Sequence, residues 1–531
     1  MKDDILNELD NISCAVNYFE VLMKLVDDDF INYHDELNMK SSWDLLNDNE
    51  ISYLFGLWYK NWNRKEKEVD DIDKCVQRIK ELLKELHFSY LPLLNKDLSK
   101  YKLEELVKHN KSLQEVILYA GSPAYDYQFA EFFEEKYKLD NDWLICNKGF
   151  SIDKILPFFS FIKGIFNFKL NKGEYEELAD VFKLSKESYI FKKNPEFKKI
   201  LHHFSVRFGE EINQDLKKIE DFNHYSIKPI VEYEDYFLIP QPHKIAEAMY
   251  DTPFYWFLED DKYVETSFRN RGVSAELIVD SLLRKLKGDY QLYRNIDVKS
   301  KKSNTISEID VCLYHNETLI IFQVKSKRLT QLSKQGNKEN IQKDFKLAVE
   351  DAYTQAELCF DPILSNTCKL MDQNHTEVLS GKTISKVYGV VVVLDGYPSI
   401  TQHSRMLYFG KPLIPVAISV FDLDIWISYL MSCDVVIDYV QNRYSYSDKL
   451  ISDSELSFLG FYLSGKHKGL PKKYDGVVLD GYAQFFDHNF YKKKELEYRN
   501  KWIESIDGIT RNDQCFCGEK RKYKKCCWNL K

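Results

Sequence analysis

Apolar and polar positions follow a helical period through residues 1 to about 235. Asp71 to Leu91 sets Ile72, Val76, Ile79, Leu82, Leu83 and Leu86 on one stripe, the spacing of an amphipathic helix. Ser112 to Tyr137 and Asp153 to Phe168 read the same way. Charges are interspersed, glycine is rare and no repeat recurs. His202 and His203 are adjacent, so on a helix they point apart and do not predict a shared metal. This stretch predicts a mainly helical region without a catalytic constellation. Pro240 and Pro242 break the pattern, which sets a boundary near 236.

The pattern changes after the helical, aromatic-rich segment Lys244 to Leu258. Asn270 to Ser274 predicts a turn, with Ser274 as N-cap of a helix Ala275 to Leu286. Tyr290 to Lys299 predicts a strand, followed by a basic loop. Ser307 to Lys327, SEIDVCLYHNETLIIFQVKSK, holds two apolar runs around His315-Asn316-Glu317 and predicts a hairpin. Asn340 to Phe360 has a helical stripe, and Lys386 to Leu394 is apolar enough for a strand buried on both faces. Leu413 to Val420, Asp422 to Met431 and Val435 to Val440 predict a further strand, helix and strand on the same sheet. Ser452 to Leu463 and Glu495 to Ile506 predict helices. The expected class is a mixed α/β sheet flanked by helices behind a large helical N-terminal region. The expected segments are 1–235, 236–445, a helical connector 446–508 and a small module 509–531.

Composition narrows the classes. A chain of 531 residues with 44% apolar residues is long for one core and predicts two to four domains. A net charge of -9 does not announce a nucleic-acid binder, so any such surface is local. No apolar run reaches membrane-span length, and MKDDILNELD lacks the features of a signal peptide. A cytoplasmic protein without membrane contact is expected. Seven scattered cysteines read as reduced core residues.

The chemistry concentrates in the hairpin. Side chains alternate faces along a strand, so Glu308 shares a face with Asp310, and Gln323 shares one with Lys325 and Lys327. A carboxylate on one strand, beside an amide and an ammonium on the next, can hold a divalent cation and activate water. Ile309-Asp310 followed by Gln323-Val324-Lys325 resembles the PD-(D/E)XK nucleases, in the Gln-x-Lys variant of Mrr-type restriction nucleases. The resemblance covers roughly residues 270 to 395. The order helix, three strands, helix, strand is that of the restriction-endonuclease-like fold.

The resemblance implies a metal-dependent nuclease that hydrolyses phosphodiester bonds. Asp310 would bind Mg²⁺ or Mn²⁺. Glu276 would be the first-helix acid that reaches the metal; the alternative is a carboxylate that complements the helix dipole. Glu308 is a lesser candidate. Lys325 would position water or balance phosphate charge, and Gln323 would offer a carbonyl oxygen without charge. Lys327 and Arg328 would contact phosphate. They belong to a set of ten cations that gather near the site in sequence, Arg284, Lys285, Lys287, Lys299, Lys301, Lys302, Lys327, Arg328, Lys334 and Lys338, and such a cluster suits a nucleic-acid backbone. Gln355 reads as solvated surface, with a site-facing position as the alternative. The implied substrate is DNA rather than RNA, and defence against foreign nucleic acid follows by analogy. The alternatives are an inactive nuclease-fold binding protein that docks partners through its tail, and an RNA-directed nuclease.

The tail RNDQCFCGEKRKYKKCCWNLK carries Cys515, Cys517, Cys526 and Cys527. Four thiolates suit tetrahedral zinc, which can staple a segment too short to fold alone. The segment resembles the SEC-C module, also found on the protein-export motor ATPase, through Arg511-Asn512-Asp513, the cysteines, Gly518 and Lys522-Tyr523-Lys524-Lys525. Glu519-Lys520 departs from the usual Ser-Gly. The resemblance implies a structural Zn²⁺ and a docking surface for protein or nucleic acid.

Overall fold

Helical spacing in the first half of the chain becomes helices that bury their stripes. The computed structural model describes residues 2–28, 46–64, 67–90, 115, 117–119, 121–173, 175–397, 400–401, 404, 415–446, 450–452, 454–469, 477–479, 481–517 and 521–528. The chain forms two units: residues 1–90, 125–267 and 492–531 in the first, and 91–124 with 268–491 in the second. These units cut across the four linear segments read from the sequence. The first unit keeps the helix after Pro242 and takes up the chain's C-terminal end.

In the first unit the longer helices are α1 (Lys2–Ile12), α2 (Tyr18–Val26), α3 (Asp48–Asn61), α4 (Ile72–Tyr90), α5 (Asp126–Tyr137), α6 (Ile155–Lys172) and α7 (Pro242–Leu258). α4 buries Val76, Ile79, Leu82, Leu83 and Leu86, the predicted stripe. Asn47 caps α3 in a capping box with Glu50, which satisfies first-turn amides. Between the helices lies a sheet that the helical pattern did not announce. Its three-residue strands β1 (Lys183–Ser185), β2 (Ser205–Arg207), β3 (Ile230–Glu232) and β4 (Tyr236–Leu238) run in the order β1-β4-β3-β2. Such short strands leave no run of alternation to read. The helix predicted over Ser112 to Tyr137 is interrupted: residues 121–125 are not helical and α5 begins at Asp126. Pro123 lacks an amide hydrogen and disfavours helix in the residue before it. Residues 112–114, 116 and 120 of that prediction lie outside the described residues.

The second unit is built on one sheet. Helix α8 (Val264–Leu283) precedes β5 (Gln291–Ser300), β6 (Thr305–His315) and β7 (Thr318–Lys325). Then Lys338–Phe345, a π-helical turn Lys346–Glu350 and Asp351–Leu364 run on as one helix, α9. β8 (Cys368–Met371), β9 (Glu377–Val378), β10 (Lys386–Val393) and β11 (Val416–Ser419) complete the sheet, in the order β11-β10-β7-β6-β5-β8-β9. β10 is parallel to both β7 and β11, and the remaining pairs are antiparallel. The sheet is mixed, and Val390 to Val393 on β10, covered on both sides by parallel neighbours, are fully buried. The hairpin turns at Asn316 and Glu317, both at positive φ (44° and 59°), the geometry of a two-residue turn matched to strand twist. α9 lies against β6, β7 and β10, with Ala352, Ala356 and Cys359 buried.

Two predictions about this unit are corrected. Ser274 is not an N-cap. α8 begins at Val264 and runs through Asn270-Arg271-Gly272, because Arg271 anchors that turn instead of leaving it to solvent. Glu276 therefore sits in mid-helix, away from a first-turn dipole. The strand predicted over Val435 to Val440 is part of helix α11 (Cys433–Ser445), which follows α10 (Val420–Leu430). Its β-branched run looked strand-like, but the buried positions Cys433, Val436, Ile437 and Val440 have helical spacing. α12 (Glu455–Leu463) is capped by Ser454, and α13 (Gln484–Ser505) ends the helical series. Among the described residues, no helix is long and apolar enough to cross a membrane.

The Arg271 guanidinium is buried and donates to the Asp395 carboxylate and to the carbonyl oxygen of Ser326 at 2.9 Å. It thereby ties α8 to the chain just past β7 and just past β10. Arg271→Ala would leave a buried carboxylate without its cation and should destabilise the unit by about 3–5 kcal/mol. The check is a urea titration, in which Arg271→Leu combined with Asp395→Leu should recover most of the loss.

Candidate active site and cysteine cluster

β6 and β7 pair regularly from His315↔Thr318 to Val311↔Phe322. Beyond that point side chains complete the ladder. Gln323 is fully buried. Its Nε2 donates to the carbonyl oxygen of Glu308 at 2.7 Å, and its Oε1 accepts from the amide of Asp310 at 3.3 Å. The Asp310 Oδ2 accepts from the amide of Val324 at 2.7 Å. Meanwhile β7 stays paired with β10 as far as Val393↔Lys325. β6 thus parts from β7 while β7 keeps its other neighbour, and side chains satisfy backbone groups that would otherwise be buried without partners.

The other predicted residues gather at this opening. Glu276, on α8, lies within reach of the charges of Asp310, Arg294 and Lys325. Lys325 Nζ donates to Gln355 Oε1 on α9 at 3.0 Å. Gln355 is exposed, as read from the sequence, and its amide oxygen also meets Lys325, the alternative reading. Its carbonyl oxygen also accepts from Ser307 Oγ at 3.0 Å, which fixes this stretch of α9 against β6. Glu308 is exposed and contributes its carbonyl oxygen to Gln323.

The phosphate candidates are placed differently. Lys327 lies beyond the end of β7, and its Nζ pairs with the buried Asp344 at 2.8 Å. Thr330 and Ser333 donate to the same carboxylate, so Lys327 is held in a structural cluster. Arg328 is half-buried in the following loop. Arg284 pairs with Asp280 and Lys299 with Asp297, whereas Lys301 and Lys302 are exposed at the β5–β6 turn.

Burial, and then the neighbouring charge of Asp310, push the Glu276 carboxyl up to about 7. Arg294, Lys325 and a hydrogen bond from Asn295 act in the opposite direction. Burial also raises Asp310, opposed by the Val324 amide and by Lys325. Two half-buried carboxylates, both raised by burial and one of them also by the charge of the other, are a donor set that a divalent cation would relieve. Glu276 and Asp310 fit that role. The oxygen of Gln323 is already engaged by a backbone amide.

Residues 271–393 match the family model of the nuclease-related domain, NERD. The match takes in Glu276, Asp310, Gln323 and Lys325, and it supports a nuclease-related domain in this chain. The curated proteins gave no match, and neither did the solved structures. Within this nuclease-related domain the sequence reading missed Arg271 and Asn295. Asn295 adopts φ 54° inside a strand. Its one signal is residue type, since Asn is enriched in left-handed conformations.

At the C-terminal end, Cys515, Cys517, Cys526 and Cys527 offer sulfur atoms that all lie within 4.8 Å of one another. A tetrahedral site with Zn–S near 2.3 Å needs edges of roughly 3.8 Å. Cys517 and Cys526 are 3.4 Å apart, Cys526 and Cys527 3.6 Å. The loop packs within the first unit. Phe516, between two of the cysteines, is buried against Phe168 of α6 and Trp502 of α13. Its carbonyl oxygen accepts from the buried Ser188 hydroxyl at 3.4 Å.

The raised Glu276 has a consequence for stability. Its folded value of about 7 lies above its unfolded value near 4.5, so ionising it opposes folding as pH rises between those values. In metal-free protein, Glu276→Gln should stabilise at pH 8, and the gain should shrink through pH 7 and vanish below about pH 4.5. Thermal melts across that range check it; a gain that grows toward low pH would contradict the assignment. Elemental analysis should give about one zinc per chain, lost when Cys526 and Cys527 are both changed to Ser.

Proposed function

We propose that this chain is a metal-dependent nuclease of the PD-(D/E)XK type that hydrolyses phosphodiester bonds, with DNA as substrate. The observation that carries the reading is the convergence of Asp310, Glu276 and Lys325 where β6 leaves β7. Mg²⁺ or Mn²⁺ held by Asp310 and Glu276 would supply a Lewis acid for the phosphoryl oxygens and lower the pKa of the attacking water. The chain's own groups do the rest. Asp310, pinned by the Val324 amide, presents its second oxygen in a fixed direction. Lys325 is held by Gln355 at a height from which its ammonium can orient water or neutralise charge that grows on the phosphate. Lys301 and Lys302, exposed on the β5–β6 turn, are available to the backbone of a duplex, and Arg328 follows Lys327 in the loop after β7. Lys327 would have to leave Asp344 before it could take that role.

We read the cysteine cluster as a structural Zn²⁺ site of the SEC-C kind: four protein ligands leave no open position for substrate. A role for the tail in protein docking rests on its exposed face, since Phe516 faces inward. Restriction of invading nucleic acid follows from fold analogy alone.

One observation favours a second reading, a nuclease-fold protein that binds nucleic acid without cleaving it. Gln323 stands where the related nucleases have an acid, and its amide is engaged by Glu308 and Asp310. Plasmid nicking with Mn²⁺ separates the two. The wild type should cleave, and Asp310→Ala and Lys325→Ala should each lower the rate by about a hundredfold or more. Cleavage unchanged in both variants would remove the site assignment; plasmid binding without cleavage by any of the three would support the second reading. An RNA substrate in parallel tests the preference for DNA.

A further inference from the structure

In the first unit, α6 meets the part of α13 that begins at Lys492. The two helices touch closely at one level. A Cβ on Gly164 would overlap the Trp502 indole, so glycine permits that approach. Phe168 packs on the same indole with ring centroids 5.7 Å apart, and Tyr498 is buried against Tyr127 at 4.1 Å. Beside these contacts the helices border a cavity of about 520 Å³, the size of a small-molecule site. Asn167 and Asn171 line it from α6, Glu495 and Arg499 from α13. Residues four apart share one face of a helix, so two polar stripes border the same space. Among the described residues, none of these four side chains makes a hydrogen bond or an ion pair. Two amides, a carboxylate and a guanidinium thus line one concavity with their bonding capacity open. Lys163 lines it too, but its buried ammonium is engaged. It meets the Asp126 carboxylate at 2.5 Å and lies 3.7 Å from the centre of the Tyr127 ring. The cations at the exposed rim are Arg499 and Lys492.

We propose that this cavity binds a nucleotide, with adenosine monophosphate (AMP) as its simplest ligand. Asn167 is half-buried beside Phe168. Its carboxamide sets a donor next to an acceptor, the pattern that complements the amino and ring-nitrogen edge of adenine. Phe168 and Trp502 give a planar base an apolar wall, a contact that every base can make through its π-face. Asn171 and Arg499 are exposed at the rim, where the planar guanidinium takes phosphate oxygens in bidentate, charge-assisted bonds. Glu495 lies one turn from Arg499 toward Lys163, whose ammonium feels its charge. A carboxylate there accepts from the base amino group or from ribose hydroxyls. None of these residues belongs to the second unit, so the proposal does not rest on the nuclease reading.

The test is calorimetric titration of the full-length protein with AMP, without added divalent cation, beside adenosine and ribose 5-phosphate. AMP should bind saturably and more tightly than either fragment. Arg499→Gln should bring AMP down toward the affinity of adenosine, a loss on the order of tenfold. Asn167→Leu should weaken AMP by a similar factor. Melting temperatures equal to that of the wild type show that both variants are folded. Asp310→Ala should bind AMP as the wild type does, whether or not the protein cleaves nucleic acid. Absence of saturable AMP binding, ribose 5-phosphate binding as tight as that of AMP, or AMP affinity unchanged in both cavity variants would overturn the proposal. Loss of AMP binding in Asp310→Ala would place the nucleotide in the second unit and overturn it as well.

Discussion

The substitution of side chains for backbone at the end of the hairpin is the constraint on which the second unit depends. A strand pair normally closes its ladder with main-chain bonds. Here Gln323 reaches across to the Glu308 carbonyl and the Asp310 amide, and Asp310 reaches back to the Val324 amide. The strands can separate without leaving buried polar groups unsatisfied, each of which would cost about 1–3 kcal/mol. The gap that results is where a carboxylate can turn out of the sheet toward a helix. A neutral Gln at 323 suits this bridging, because an amide both donates and accepts, whereas an ionised acid could only accept.

Around that gap, the rest of the unit acts as a frame. α8 brings Glu276 from one side and is tied to the strand ends through Arg271, Ser326 and Asp395. α9 brings Gln355 to the ammonium of Lys325 and holds itself to β6 through Ser307. Parallel pairing of β7 with β10 buries the strand that carries Gln323 and Lys325, so those side chains have a rigid base. Chemistry that depends on geometry at the level of a hydrogen bond needs such rigid support. Burial holds both acids against their own ionisation.

Much of this was legible in the chain. The hairpin, its turn, the helix after it and the buried Lys386–Val393 strand follow from period and composition, and the residue order Asp310, Gln323, Lys325 carried the nuclease resemblance. What escaped shares a physical reason: it depends on partners distant in sequence. Ser274 looked like a cap because Ser caps helices, but burial of Arg271 against Asp395 carries α8 through the supposed turn. The Val435–Val440 run looked like a strand because β-branched residues favour strands, but packing decided by helical spacing. Gln355 is solvated as it looked, but α9 also brings its amide to Lys325. Asn295 is one left-handed residue in a strand, and no pattern marks it. The tail's four cysteines were plain in the sequence; that Phe516 between them would bury itself against Phe168 and Trp502, more than 300 residues from the former, was not.

The central claim, that Asp310 and Glu276 together form a cation site at the opening between β6 and β7, is tested most directly by anomalous diffraction from crystals of the protein soaked in Mn²⁺. The expected result is a manganese peak within coordination distance of both carboxylates, about 2.0–2.3 Å, on the side that faces Lys325. A manganese-loaded crystal with no peak between those two carboxylates would contradict it.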